Sequence, residues 1–218
     1  MLTIHNFARG ARGLRVMWQC EEMGLPYQVE IESYPISAAY RALHPLGTVP
    51  FLEDSDGVAM CESVAMMWYI AQRYGPTPLL PAAHPAQLAQ VLQLLEFGEA
   101  TLGAGLNVLL AARFAAPEAE RHNWSVARQE ERIAQALDYL AALLGERDFV
   151  AGRDISLADI SLIAMLGICR GVFAQRLPGN LPQYMERMSA RAAYQRAWLR
   201  CQGQTPPAAA QPAERERT

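Results

Sequence analysis

The chain reads as two units: an α/β unit built on a small mixed sheet and, after a proline-rich break, a unit made only of helices. Three observations predict this. Apolar residues alternate between strand and helix spacing only as far as about Tyr74. The stretch Gly75-Pro76-Thr77-Pro78-Leu79-Leu80-Pro81 cannot continue a helix, because its prolines lack the backbone donor and clash with the preceding turn. Beyond it every periodic segment has helical spacing, and no strand signal returns. The boundaries fall at residues 1–75 for the first unit, 76–85 for the linker and 86–202 for the helical unit. Residues 203–218, rich in Pro, Ala, Gln and charge, are expected to form a disordered tail.

Leu2, Ile4 and Phe7 mark a short first strand. Gly10 to Gly24 has helical spacing, with Leu14, Trp18 and Met23 facing inward, and Tyr27 to Ile31 is a second strand. A helix at Ser37–Leu43 leads to Val49–Glu53 and Val58–Cys61, a hairpin turning at Asp54-Ser55-Asp56-Gly57. A helix from Glu62 to Tyr74 closes the unit, and the order fits a four-stranded mixed sheet covered by helices. That helix carries Met66, Met67, Trp68 and Ile70, too many apolar residues for one side. With the first helix after the linker it is therefore expected to form the surface of a homodimer. The helical unit is predicted at Ala86–Arg113, Trp124–Leu144, Leu157–Gly171 and shorter pieces over Leu181–Leu199. Ser156-x-x-Asp159 has capping-box spacing, so its role is to start the buried helix after it.

A chain of 218 residues with 51% hydrophobic content can bury a sizeable core in one large or two smaller domains. The net charge of −3 argues against a nucleic-acid partner. Every basic side chain is arginine, since no lysine occurs. Cys20, Cys61, Cys169 and Cys201 lack Cys-x-x-Cys spacing, so neither a metal site nor a disulfide framework is expected, and a reducing cytoplasmic location is. Cys20, among apolar neighbours, is expected to be buried and inert. The N-terminus has no basic region followed by an apolar run, so no signal peptide is read. Apolar stretches are broken well before ~20 positions, so no membrane span is expected.

The most informative segment is His44-Pro45-Leu46-Gly47-Thr48-Val49-Pro50-Phe51-Leu52, followed by Cys61-Glu62-Ser63-Val64-Ala65-Met66. It reads as a loop entering a strand through a Val-Pro bond, then a helix whose first turn carries a carboxylate and a hydroxyl. A cis bond at Val49-Pro50 would leave the N–H and C=O of Val49 facing outward, where an extended peptide can pair with them. The helix start at Glu62 and Ser63 offers unpaired N–H groups and a positive dipole end, which suit a carboxylate. Together they outline a pocket for a small, zwitterionic, peptide-like ligand. Read on their own, Pro50 could be an ordinary edge-strand proline and Ser63 only a helix cap.

These segments resemble the glutathione S-transferase family, whose N-terminal domain reads Asn-Pro-x-Gly-x-Val-Pro-x-Leu and then Glu-Ser-x-Ala-Ile. Here the first Asn is His44 and the last Ile is Met66. Leu14-Arg15-Val16 through Glu21-Glu22-Met23-Gly24-Leu25-Pro26-Tyr27 is similar to the family's first helix and its exit. Gly152-Arg153-Asp154-Ile155-Ser156-Leu157-Ala158-Asp159-Ile160 is similar to its C-terminal-domain signature. The resemblance runs from Met1 to about Leu199. It implies a thioredoxin-like N-terminal domain followed by an all-helical domain, with glutathione as cosubstrate. It further implies His44, Val49, Pro50, Glu62 and Ser63 around the bound tripeptide, Glu62 at the ammonium and Ser63 at the γ-glutamyl carboxylate. A lysine that many relatives use for the glycine carboxylate is missing here, leaving Arg, His or Gln to hold it.

The first-helix start departs from the family. Relatives place a Ser, Tyr or Cys there to hydrogen-bond the glutathione sulfur, whereas Asn6-Phe7-Ala8-Arg9-Gly10-Ala11-Arg12-Gly13 has no hydroxyl or thiol. Ala11 falls where a catalytic serine is common. Arg12, at the helix N-terminus, could stabilise the thiolate by its charge, with Asn6 or the Arg12 N–H supplying a hydrogen bond. Otherwise Arg9 and Arg12 sit in solvent or pair with Glu21 or Glu22. Asn107, Arg113, Phe114 and Trp124 lie where the helical domain would face the sulfur. Two function classes follow: an enzyme directing glutathione thiolate at a small electrophile, or a non-catalytic glutathione-binding or interaction protein of the same fold. Isomerisation of maleylacetoacetate-type substrates is less favoured, because the serine- and cysteine-rich helix start of those isomerases is absent.

Overall fold

A computed structural model describes residues 1–81 and 84–206. The tail predicted as disordered falls almost wholly at 207–218, outside the described residues. The first unit runs β1 (Leu2–Phe7), α1 (Ala11–Met23), β2 (Tyr27–Glu32), α2 (Ala38–Leu43), β3 (Phe51–Glu53), β4 (Ala59–Met60) and α3 (Ser63–Arg73). Its four strands lie in the order β2-β1-β3-β4. β1 and β2 are parallel with Ile4 opposite Val29, while β3 runs antiparallel to β1 with Ile4 opposite Leu52. The sheet is therefore mixed, as predicted, with β4 reduced to two residues against Glu53 and Leu52.

In the second unit α4 (Pro85–Glu96) passes without a break into a π-helical segment, Phe97–Gly103, and on into α5 (Ala104–Phe114). Then come α6 (Trp124–Leu144), α7 (Leu157–Gly171), α8 (Leu181–Ser189) and α9 (Ala192–Cys201). Against the expectation that apolar runs are too short, the rod from Pro85 to Phe114 is long and apolar enough to cross a bilayer. Val91, Leu94, Leu95, Leu102 and Leu106 on this rod are instead buried in the core of this chain, whereas Val108 and Phe114 are exposed, and α4 packs on α7.

The expected apolar dimer face is corrected in the same way. Met66, Met67 and Ile70 are all 0% exposed within the single chain, leaving only Trp68 of the four at 37%. Helix α1 lies against α3 and fills that face, and Gln19 donates to the Met67 carbonyl at 2.8 Å.

Helix α1 is the centre of the molecule, packed by β1, α3, α7 and α9. Trp18 is fully buried and meets Tyr194 edge to face at 5.0 Å. Glu22 accepts two bonds from Arg191, at 2.7 and 2.8 Å. Glu21 accepts from Arg196 at 2.6 Å and from Arg200 at 3.1 Å. Those carboxylates, expected as partners for Arg9 or Arg12, are thus held by Arg191 just before α9 and by Arg196 and Arg200 within it. At the start of α7 the Asp159 carboxylate accepts the Ser156 N–H at 2.8 Å and its hydroxyl at 2.7 Å. It also accepts the Val150 N–H at 2.9 Å and the Tyr184 hydroxyl at 2.7 Å, the folding role that its spacing predicts.

Candidate functional site

The site is assembled where the N-termini of α1 and α3 meet the π-helical segment of the second unit. Between β1 and α1 the chain turns through Arg9, whose φ of 64° is left-handed, and its N–H donates to the Cys201 carbonyl at 2.8 Å. Asn6, fully buried, tucks beneath the first turn of α1, with Nδ2 donating to the Gly10 carbonyl at 3.1 Å. Gly13 makes room for it: a Cβ there would stand 2.2 Å from the Asn6 side chain. Burial pushes the nearby Cys201 thiol up to about 11 and the Cys169 thiol up to about 12, and it raises that of Cys20 as well. These buried cysteines are therefore poor nucleophiles, and all four cysteines are unpaired.

Helix α3 begins with an unusual turn. Glu62 has φ 70° and ψ 99°, outside the comfortable range of a side-chain-bearing residue, and its carboxylate is exposed. Ser63 is 4% exposed, and its Oγ accepts from Arg15 Nη1 at 3.4 Å. Sequence reasoning missed Arg15. It is fully buried in α1 with Nε and Nη2 lacking partners among the described residues, and burial lowers its pKa to about 10. The available signal was a cation inside the apolar run Leu14-Arg15-Val16-Met17-Trp18.

Glu99 is the second residue missed. The π-helical segment presents its carboxylate to Arg15 Nη1 at 3.0 Å and to Arg12 Nε at 2.9 and 3.1 Å. Arg12 also donates through Nη2 to Asn107 Oδ1 at 3.0 Å. Gly103 keeps this pair possible, since a Cβ there would lie 2.9 Å from Glu99 Oε1 and 3.2 Å from Arg12 Nη2. Arg12 thus points to the helical unit with its charge partly balanced.

A cleft of about 530 Å³ opens between the units, lined on one side by Asn6, Phe7, Arg9, Ala11, Arg12, Tyr34, Arg41 and Val49 and on the other by Leu110, Ile168 and Val172. Val49 stands just before the ladder, which begins at Phe51, and its bond to Pro50 is cis as expected. Pro50 is buried beneath it. The His44 side chain does not reach the cleft: it is 5% exposed, stacked on Phe51 at 4.8 Å, with Nε2 bonded to Thr48 Oγ1 at 2.9 Å. There the side chain braces the loop from within. Glu62 and Ser63 stand outside the lining, and Ser63 is joined to it through Arg15, Glu99 and Arg12. Of the expected helical-unit residues only Asn107 reaches Arg12; Phe114 and Trp124 are exposed away from the cleft.

Comparison with known proteins decides the family. Residues 12–73 match the model of the glutathione S-transferase N-terminal domain, and residues 125–201 match that of the C-terminal domain. The chain belongs to the glutathione S-transferase family. Glutathione S-transferase A of Pleuronectes platessa is 30% identical over 201 residues, covering 85% of this chain and 87% of the relative. FtsZ-localized protein A of Caulobacter vibrioides is 25% identical over 178 residues, covering 76% of each. A solved glutathione S-transferase of Methylobacterium radiotolerans, in complex with glutathione sulfonate, superposes with a TM-score of 0.80 at 22% identity, over 95% of this chain and 96% of that one. Membership confirms the thioredoxin-like plus all-helical architecture. Within this glutathione S-transferase family member the departure lies at residues 6–13, where no side chain offers a hydroxyl or thiol.

Proposed function

We propose that the protein is a glutathione-dependent transferase which binds glutathione against the first unit and directs its thiolate at an electrophilic small molecule held by the helical unit. The observation that carries this is the cleft in which Val49 and Arg12 share one lining while Ser63 lies behind it in the same polar chain. Relatives and structural neighbours named for glutathione, one of them in complex with glutathione sulfonate, support the same ligand. In this reading the Val49 backbone pairs with the cysteinyl part of the tripeptide. Ser63 and the N-terminus of α3 take the γ-glutamyl carboxylate, and Glu62 takes the ammonium. His44 serves through its loop rather than by contact. Arg41, whose guanidinium lies over Gly47 in the lining, takes the glycine carboxylate in place of the missing lysine. Arg12 faces the sulfur. The thiolate then attacks the electrophilic centre, a C–S bond forms, and the leaving group departs with its electron pair.

The dimer and a cytoplasmic location belong to this proposal too. With Met66, Met67 and Ile70 used inside the chain, pairing rests on Trp68 and the resemblance alone. The second reading, a binding or interaction protein without turnover, is favoured by the absence of an activating side chain at residues 6–13. Calorimetry with glutathione, expected at micromolar to millimolar Kd, roughly −4 to −8 kcal/mol, tests the pocket. Turnover of a generic aryl halide separates the readings. A folded protein that does not bind glutathione overturns both, and binding without turnover of any electrophile overturns the first.

A further inference from the structure

Building on that reading, we propose that the second substrate carries an acidic group, a carboxylate on an apolar body, and that Arg9 selects for it. The cleft lining holds Arg9, Arg12 and Arg41 and, among the described residues, no carboxylate, although the chain as a whole has a net charge of −3. Glu99, just outside the lining, offsets Arg12, and the charge of Arg9 and Arg41 is left to focus anions into the cleft.

Glutathione in its thiolate form brings two carboxylates, one ammonium and the sulfur. The γ-glutamyl carboxylate goes to Ser63 and the end of α3, the glycine carboxylate to Arg41 and the sulfur to Arg12. Arg9 is left over. It has no ion pair among the described residues, whereas Arg12 is already shared with Glu99. Its backbone is fixed: the N–H is held by the Cys201 carbonyl at 2.8 Å, in a left-handed conformation of the kind that accumulates at working sites. The same lining includes Leu110, Ile168 and Val172 from the helical unit, an apolar set suited to the body of the same molecule. An acid on an apolar frame satisfies both sides.

The test uses two conjugates that need no turnover, S-benzylglutathione and S-(4-carboxybenzyl)glutathione, with glutathione itself as reference. Calorimetry on the full chain is expected to give about three- to five-fold tighter binding of the carboxylated conjugate, the scale of a solvent-exposed ion pair. Arg9→Gln is expected to abolish that preference while leaving S-benzylglutathione and glutathione affinities as they were, and Arg9→Lys is expected to restore most of it. Equal affinities for the two conjugates in the parent, or a preference that survives Arg9→Gln, overturn the inference and leave the glutathione pocket standing. A parent that binds none of the three overturns the pocket and this inference together.

Discussion

Glu99 accepts from two arginines at once, and for one of them, Arg15, it is the only carboxylate within ion-pair distance among the described residues. Removing one partner of a buried pair strands the other, at about 3–5 kcal/mol, whereas replacing the buried charge by an apolar side chain is often tolerated. Glu99→Ala is therefore expected to destabilise the fold by about 3 kcal/mol or more in urea denaturation. Arg15→Met should cost clearly less, since Glu99 keeps Arg12; the reverse order would show that Glu99 does not hold this node. For ligand binding, Ser63→Ala removes one charge-assisted hydrogen bond, worth about 1.5–3 kcal/mol, so glutathione Kd measured by calorimetry should rise about ten-fold or more. For chemistry, Arg12 is the test. Thiolate absorbance of the glutathione complex should titrate below the free-cysteine value of about 8.5, and Arg12→Ala should raise that pKa and slow turnover by about ten-fold for each unit lost. Ala11→Ser, adding the donor that relatives use, should be neutral or activating.

Among the elements, the start of α7 and the β3–β4 turn lend themselves to measurement. Asp159→Ala leaves the Ser156 N–H and hydroxyl, the Val150 N–H and the Tyr184 hydroxyl without their acceptor. A loss of about 3 kcal/mol or more is expected from denaturant unfolding. At the turn, burial works against the Asp54 carboxylate, yet hydrogen bonds from Tyr74 at 2.6 Å, Tyr69 at 2.8 Å and the Ser55 N–H at 2.6 Å outweigh it and hold its pKa below the ordinary value. A carboxylate depressed in the folded state contributes stability above its unfolded pKa of about 3.9 and loses it as pH falls through the folded value. Asp54→Asn should therefore melt lower than the parent near neutrality, with the gap closing below about pH 4. Much of this architecture was legible: strand and helix order through Tyr74, the proline break and the Ser156-x-x-Asp159 cap follow from local periodicity and turn chemistry. The π-helical turn at Phe97–Gly103 was not, because nothing in its own composition favours i→i+5 bonding. It is the partner arginines from another element that make Glu99 meaningful there. The cis Val49-Pro50 bond and the helix start at Ser63 could be read for the same local reasons, while the inward turn of His44 depends on Phe51 and Thr48 and could not.

At the scale of the molecule, light scattering at micromolar concentration is expected to give about twice the chain mass of 24.1 kDa, and a value of 24.1 kDa would remove the dimer. The two units are bound to each other more tightly than their separate sequence signatures suggest. Helix α1 closes its core against α7 and α9, and Arg191, Arg196 and Arg200 grip Glu21 and Glu22 from the far end of the chain. A strap of this kind sets an order of events during synthesis. The first 75 residues leave the ribosome with Trp18 and the two glutamates unmatched, and they must wait for more than a hundred further residues before those partners exist. Until then the side of α1 that α7 and α9 will cover has no partner, although β1 and α3 already cover the other, so the packing of α1 is completed only once α9 has been made.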